Sequence, residues 1–387
     1  MYFKILRQTQ ADNIPPRCVR CFVQRYLKEE NIRCCWGITI LIESKHVYLE
    51  LKTCNLIKVL MMLSVIITHC CAIWSRDGWF TITPSNQSTI LGLLSTWLGT
   101  FHTYVFTFIS GYLFYYLKYE KKHYVSFWND VGRRAVRLLV PYVFVALFWI
   151  VPFYKFFYQA DKMTIIRNFV FGISPSQLWF LMMLFVLFVL FYILSNFFDR
   201  CSFPVGFLVV TGIYFLSTIA GSYVPNYFQV WTATKYILFY FIGFSFRKYG
   251  FKKAFEVPWF IYLVSDFLLF SLLYYFTGQS GRLYKLIAMG IKPICNLSGI
   301  LMVVIGCSKF SVERIEVSKI YQFLLKHNFA MYLYHQQLIW VVLWYLNGMM
   351  MPWGMFVVNC AVSILGSSLL AYIVEKIPIA RTLVGYK

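Results

Sequence analysis

The sequence predicts an all-α integral membrane protein, a bundle of about ten transmembrane helices. Hydrophobic residues make up 60% of the 387 residues and charged residues only 13%, whereas soluble domains carry about 25% charged residues. The apolar residues gather in continuous runs, and a run of about 20 residues is long enough to cross a bilayer. Because these runs are continuously apolar and do not alternate, they predict helices and not the strands of a barrel.

Ten apolar runs follow one another along the chain, and each predicts one helix. Several contain Gly or Pro, which membrane helices tolerate. The runs are 55–74, 97–117, 138–158, 177–198, 204–221, 232–247, 258–277, 285–306, 327–346 and 353–374.

Residues 1–47 differ from the rest of the chain. They are rich in Arg and Cys, and their one short apolar patch, 36–43, is too short to cross a bilayer. We expect 1–47 to be an N-terminal cytoplasmic extension, with 36–43 as an interfacial segment, or else to be sequence upstream of the true start. The membrane domain is then 48–387.

Basic residues concentrate in alternate loops, which predicts that both termini lie in the cytoplasm. The basic loops follow the second, sixth and eighth runs, and the tail is basic as well; the loop after the third run, with Lys155, Lys162 and Arg167, is an exception. We attribute the net charge of +21 to basic loops that face anionic lipid. We expect some of these basic residues to bind a phosphorylated ligand instead. This distribution argues against a nucleic-acid partner.

The cysteine pattern does not predict a metal site. Cys18 and Cys21 form a C-x-x-C, but no second C-x-x-C or H-x-x-x-H completes a zinc site. Several of the 11 cysteines lie inside apolar runs, where cysteine behaves as a small hydrophobe.

Three histidines lie inside apolar runs and are candidate catalytic residues. The predicted orientation places His69 and His102 in the outer half of the membrane, where they could line one cavity, and His335 near the middle of the ninth helix. An ionisable side chain at membrane depth is a functional candidate, and a neutral imidazole is well suited to accept a proton from a sugar hydroxyl. The alternative is that each histidine is neutral and hydrogen-bonded to a neighbouring helix.

Arg134 and Arg137 are three residues apart at the cytoplasmic start of the third run, so on a helix they share a face. Two guanidiniums there could hold phosphates through paired hydrogen bonds. Anchoring of the helix at the cytoplasmic boundary is the alternative, and the spacing alone favours it.

Six segments in this order resemble the integral-membrane acyltransferases of acyltransferase family 3, especially the sugar O-acetyltransferase type. The resemblance covers roughly residues 48–387, and six loose motifs in order make a specific signal. The segments are YLELKTCNLIKVLMMLSVIITH (48–69), FTFISGYLF (106–114), RRAVRLLVPY (133–142), SQLWFLMMLF (176–185), KYILFYFIGF (235–244) and AMYLYHQQLIW (330–340).

The resemblance implies transfer of an acyl group, usually acetyl, from cytoplasmic acyl-CoA to a cell-surface or lipid-linked glycan. The family's essential entry-helix histidine maps to His69, and its Arg-x-x-Arg pair maps to Arg134 and Arg137. Lys58 stands where the family usually has arginine; it keeps the charge but lacks the bidentate fork. We expect these cations, with Arg133, to hold the phosphates of acetyl-CoA.

His69 is then expected to act as general base, aided by His102 or His335, without a metal. The partners implied are acyl-CoA, a glycan or lipid-linked saccharide acceptor and membrane lipid, in a bacterial cytoplasmic membrane. A multi-helix transporter or flippase for a glycan intermediate is the alternative function, since intramembrane histidines and broken helices suit a transporter as well. The chain shows no internal repeat of the kind many transporters have.

Overall fold

The structure of the protein, a computed structural model, describes residues 51–76 and 82–385. The predicted extension 1–47, its patch 36–43 and the boundary before residue 48 lie outside these ranges. The contacts discussed below lie within Asn55–Lys387, the larger of two units into which the chain divides.

Eleven long helices make up most of the described chain, which contains no strand. Short helices at Lys162–Ile165, Lys252–Glu256, Val312–Glu316 and Pro378–Leu383 occupy connections or the tail. The long helices are α1 (Leu51–Trp74), α2 (Thr89–Gly99), α3 (His102–Tyr115), α4 (Phe127–Tyr158), α5 (Ser176–Arg200), α6 (Phe203–Ala220), α7 (Val230–Tyr249), α8 (Trp259–Thr277), α9 (Arg282–Ser308), α10 (Lys319–Leu346) and α11 (Pro352–Lys376).

Seven helices of the described chain are long and apolar enough to cross a membrane, namely α1, α4, α5, α6, α8, α9 and α11. The prediction of an all-α membrane bundle is confirmed, but the count of about ten is not. The run 97–117 is divided between the end of α2 and α3, and α3 itself has only 14 residues. The runs 232–247 and 327–346 do form helices, α7 and α10, but charged and amide side chains lower their hydropathy.

The helix ends follow from residues with special backbone properties. Pro204 and Pro352 stand in the first turns of α6 and α11, where the missing N–H costs nothing. Gly250 ends α7 in the left-handed conformation, at φ 74°. Pro141 stands inside α4, which remains continuous and widens into a π-helical turn at Ala146–Ile150.

Helices α3 and α7 touch backbone to backbone through two glycines. A Cβ on Gly111 would lie 2.0 Å from the carbonyl oxygen of Tyr240, and a Cβ on Gly243 would lie 2.0 Å from that of Phe108. Small residues permit such close approach between membrane helices. This reciprocal contact, the glycine seam, explains why glycine stands in both the FISGY and the FIGF segments.

Two clusters of apolar side chains surround the predicted site. The larger one joins α1, α4, α5, α10 and α11, with Met62, Ile66 and Met331 fully buried. A smaller one joins α8 and α9 through Phe270 and Cys295. The first cluster buries the face of α1 that carries His69, and the second supports the corner between α2 and α3, where His102 lies.

Candidate functional site

His69 of α1 and His335 of α10 are in direct contact inside the bundle. His69 Nδ1 lies 2.8 Å from His335 Nε2, and the two rings meet edge to edge, with centroids 5.0 Å apart and ring planes 16° apart. His335 is fully buried and His69 half-buried. The sequence predicted both residues as candidates, and the structure brings them together.

The hydrogen bonds assign a tautomer to each neutral ring. The carbonyl of Tyr332 can only accept, so His335 Nδ1, 2.7 Å away, must carry a proton and donate it. In a neutral ring, His335 Nε2 then holds a lone pair and accepts from His69 Nδ1. His69 therefore keeps its own lone pair on Nε2, which is the atom that can take a proton from a substrate.

A buried pair of amide side chains, Gln177 and Gln337, lies beside the histidine contact on the α10 side. Gln177, in the first turn of α5, donates from Nε2 to the carbonyl of Leu333 at 2.9 Å and to Oε1 of Gln337 at 2.7 Å. Tyr332 donates its hydroxyl proton to the Gln177 carbonyl. These bonds tie α5 to α10 on both sides of His335, so they restrict the ring's position.

His102 lies apart from this hydrogen-bonded pair. Its Nδ1 donates to the carbonyl of Leu98 at 2.7 Å, one turn earlier, which leaves the lone pair on Nε2. His102 is buried, and it is close enough to His69 and His335 to interact electrostatically with both. The structure thus places the three histidines in one region but joins only two of them.

The predicted arginines occupy the first turns of α4, and they differ in their surroundings. Arg133 is largely exposed and forms an ion pair with Asp130, which also accepts a hydrogen bond from Tyr192 at 2.9 Å. Arg134 is half-buried, with its guanidinium carbon 5.1 Å from the centre of the Phe188 ring.

The charge of Arg134 has no carboxylate partner among the residues that the structure describes. Its Nε is buried without a hydrogen-bond acceptor there. A buried guanidinium normally requires an anion or several acceptors, because removing it from water is costly. Arg137 is exposed one turn further along α4. The pair can therefore offer two cations to a phosphate-bearing ligand.

Lys58 lies on α1, toward its start. Its Nζ donates to Oδ1 of Asn55 at 3.4 Å, and its carbonyl accepts from Asn328 at 3.0 Å. Lys58 and His69 are on the same helix, so about 16 Å of axial rise separates them at 1.5 Å per residue.

Two features of the site were not predicted. The Gln177–Gln337 pair has a signal in the sequence, because an amide inside an apolar run needs a buried partner. Lys118 belongs to the arginine region, with Nζ 2.5 Å from Ser195 Oγ and 4.2 Å from the centre of the Tyr192 ring. The sequence shows it only as one of the basic residues that follow the second apolar run.

The apolar groove along α4 is separate from these residues. It has a volume of about 490 Å³ and is lined by side chains such as Val136, Val143 and Phe148. None of the predicted site residues lines it, and its wholly apolar wall suits lipid tails.

As for metals, no group of three His, Cys, Asp or Glu in 51–76 and 82–385 is placed to hold an ion. Cys18 and Cys21 lie outside these ranges.

Comparison with known proteins gives one family. The family model described as "Acyltransferase domain" matches residues 52–372, a range that contains every predicted site residue. No match was found among curated proteins or among solved structures.

Proposed function

We propose that this chain, which belongs to acyltransferase family 3, moves an acetyl group from acetyl-CoA to a hydroxyl of a cell-surface or lipid-linked glycan. Family membership establishes acyl transfer. The donor, the acceptor and the O-acetyl product are our proposal, as is the location in a bacterial cytoplasmic membrane. The observation that carries the proposal is the hydrogen-bonded pair of imidazoles inside a bundle of membrane-spanning helices.

In the proposed reaction, His69 is the general base. Its Nε2 takes the proton of the acceptor hydroxyl while the hydroxyl oxygen attacks the carbonyl carbon of the thioester. The tetrahedral intermediate then collapses with loss of the CoA thiolate, which takes the proton from the His69 imidazolium. The new C–O bond replaces the C–S bond, and the enzyme returns to its starting state.

His335 acts through His69 in this mechanism. Its Nε2 accepts from His69 Nδ1, so it keeps the base in the productive tautomer and stabilises the positive charge that His69 gains. The carbonyl of Tyr332 holds His335 in turn. In this proposal His102 accepts a hydrogen bond from a hydroxyl of the acceptor through the lone pair on its Nε2.

The donor phosphates bind at the start of α4 in this proposal. The absence of an acidic partner for Arg134 in the described ranges, and the exposure of Arg137 beside it, support this role. Arg133 contributes less, since Asp130 already neutralises it. Lys58, on the adjoining α1, supplies a further cation along the path toward His69.

The test uses purified protein in phosphatidylcholine nanodiscs with acetyl-CoA and glycan extracted from cells that lack the gene. We expect acceptor-dependent release of free thiol and appearance of O-acetyl groups on the glycan. His69→Ala should lower both by about 10²- to 10⁴-fold while the protein still inserts in the membrane. Movement of the glycan across the bilayer of proteoliposomes without thiol release would instead support a transporter and contradict the proposal.

A further inference from the structure

Gln336, the residue after His335 on α10, is a buried amide that has no hydrogen-bond partner among the residues that the structure describes. The residue is only 4% exposed. Its neighbour Gln337 is equally buried, but it is bonded to Gln177 in both directions, at 2.7 and 3.1 Å. Burying an amide without a partner costs free energy. An unpaired amide at such a position therefore indicates a role that packing does not explain.

The neighbours of Gln336 on α10 show where its side chain points. Successive residues of an α-helix turn by about 100°. His335 faces α1 and Gln337 faces α5. Leu338 faces α11, where a Cβ on Gly366 would lie 2.8 Å from Leu338 Cδ1. Gln336 therefore points between α1 and α5, away from α11.

A chain of aromatic contacts joins this side of α10 to the face of α3 that carries His102. Tyr332 is four residues before Gln336, so the two share a face of α10. The centre of the Tyr332 ring lies 6.2 Å from that of Phe180 on α5, which in turn lies 5.9 Å from that of Phe106 on α3. His102 is four residues before Phe106 and shares its face. Gln336 thus lies in the same part of the bundle as the predicted histidines.

Acyl transfer creates a negative oxygen, which requires a hydrogen-bond donor other than the base. When the acceptor hydroxyl attacks the thioester, the π electrons of the C=O bond move onto the carbonyl oxygen. Donors aimed at this oxygen lower the barrier, and Asn or Gln side chains are among the groups that enzymes use for it. The Tyr332 hydroxyl already donates to the Gln177 carbonyl, and the Gln177 amide to Gln337. The Gln336 amide, in contrast, keeps both N–H groups for a ligand.

We propose that Gln336 is a catalytic residue, whose Nε2 donates a hydrogen bond to the acyl carbonyl oxygen as this oxygen becomes negative. The inference rests on the proposed function, because it adds the oxyanion donor to that reaction. The C–O bond forms while His69 takes the hydroxyl proton. Return of the oxygen's electron pair to the carbonyl bond then breaks the C–S bond, and the CoA thiolate takes the proton from His69. Gln336 itself exchanges neither protons nor electrons.

The experiment compares Gln336→Met with the unaltered protein by thiol release from acetyl-CoA in phosphatidylcholine nanodiscs, with the extracted glycan as acceptor. Methionine is similar in size to glutamine and has no hydrogen-bond donor. We expect kcat to fall about 10²- to 10³-fold. The KM values for acetyl-CoA and for the glycan should stay within about twofold, because the bond strengthens only in the transition state. Gln322→Met, at an exposed glutamine near the start of the same helix, is the matched control and should be as active as the unaltered protein.

Two further measurements separate an oxyanion donor from a residue that only supports the histidines. The pH at which kcat is half-maximal should be the same in Gln336→Met and in the unaltered protein, because His69 remains the base. Gln336→Met should also unfold at the same temperature as the unaltered protein or higher, because its amide has no partner to lose. Gln337→Met should unfold at a lower temperature, since it removes the bonds to Gln177.

Four results would overturn the inference. Unchanged kcat in Gln336→Met would show that the amide does not act in the reaction, and a raised KM for the glycan alone would assign it to acceptor binding. A shifted pH profile would show that it acts through His69, and destabilisation as large as that of Gln337→Met would show that the fold already uses it. An unaltered protein that releases no thiol refutes the proposed function and the inference with it, whereas an active protein that tolerates Gln336→Met refutes the oxyanion donor alone.

Discussion

Replacing His335 by leucine should slow acyl transfer without removing the base itself. The change deletes the acceptor for His69 Nδ1, which lies 2.8 Å from His335 Nε2, and keeps a residue of similar size in a fully buried position. In the transition state His69 becomes positively charged, so the lost bond is one to a charged group, and such bonds contribute about 1.5–3 kcal/mol. Because each 1.36 kcal/mol of activation free energy changes the rate tenfold, kcat should fall about 10- to 150-fold.

His69→Ala removes the base and should cost about 10²- to 10⁴-fold in kcat. Because His335 acts only through His69, the double variant should be no slower than His69→Ala, within about twofold. His335→Gln offers a side-chain carbonyl to His69 Nδ1 and should recover part of the rate. The assay is thiol release from acetyl-CoA at saturating acceptor, with protein levels matched in nanodiscs.

Two results would refute this reasoning. If the losses of His69→Ala and His335→Leu multiply in the double variant, the two histidines act independently. If His335→Gln is as slow as His335→Leu although both fold, then hydrogen-bond acceptance by residue 335 is not what matters.

Three other substitutions test the donor site, the packing and the amide pair. Arg134→Gln should raise the KM for acetyl-CoA about tenfold or more, whereas Arg133→Gln, at an exposed and already paired residue, should change it little; equal effects would contradict the assignment. Gly243→Ala places a methyl group 2.0 Å from a carbonyl oxygen of α3, so it should lower the free energy of unfolding by at least about 1–3 kcal/mol, measured by thermal unfolding. Gly212→Ala is the control, because no atom lies within 4 Å of a Cβ added at that position. Gln177→Leu removes the bonds that the Gln177 side chain makes to Leu333 and Gln337, and it should lower kcat with the KM for acetyl-CoA unchanged; a raised KM alone would place Gln177 in the donor site.

The helical architecture was predictable because continuous apolar runs leave little choice of secondary structure in a membrane. The division of run 97–117 was not, since the corner at Thr100 and Phe101 depends on tertiary contacts. There a Cβ on Gly299 would lie 2.5 Å from Phe101 Cβ, and the Asn296 amide, in the orientation that satisfies its hydrogen bonds, donates to the Thr100 carbonyl. A hydropathy profile shows 97–117 as one segment, because hydropathy carries no information about those tertiary contacts.

The site was predictable by residue type but not by pairing. Membrane depth singled out His69, His102 and His335, yet only the fold shows that His335 touches His69 while His102 bonds to Leu98 near the end of α2. Similarly, the Arg-x-x-Arg pattern could not show that Asp130 neutralises Arg133 and leaves Arg134 beside an aromatic ring. The roles of all these residues remain predictions for the assays above.

The glycine seam also limits how the protein can move during turnover. Side chains can change rotamer and let two helices slide, but at Gly111 and Gly243 main chain meets main chain, and there is no side chain to rearrange at these two points. These two helices should therefore travel as one rigid body. Admission of a donor from one side and an acceptor from the other must then come from displacement of neighbouring helices around this fixed pair.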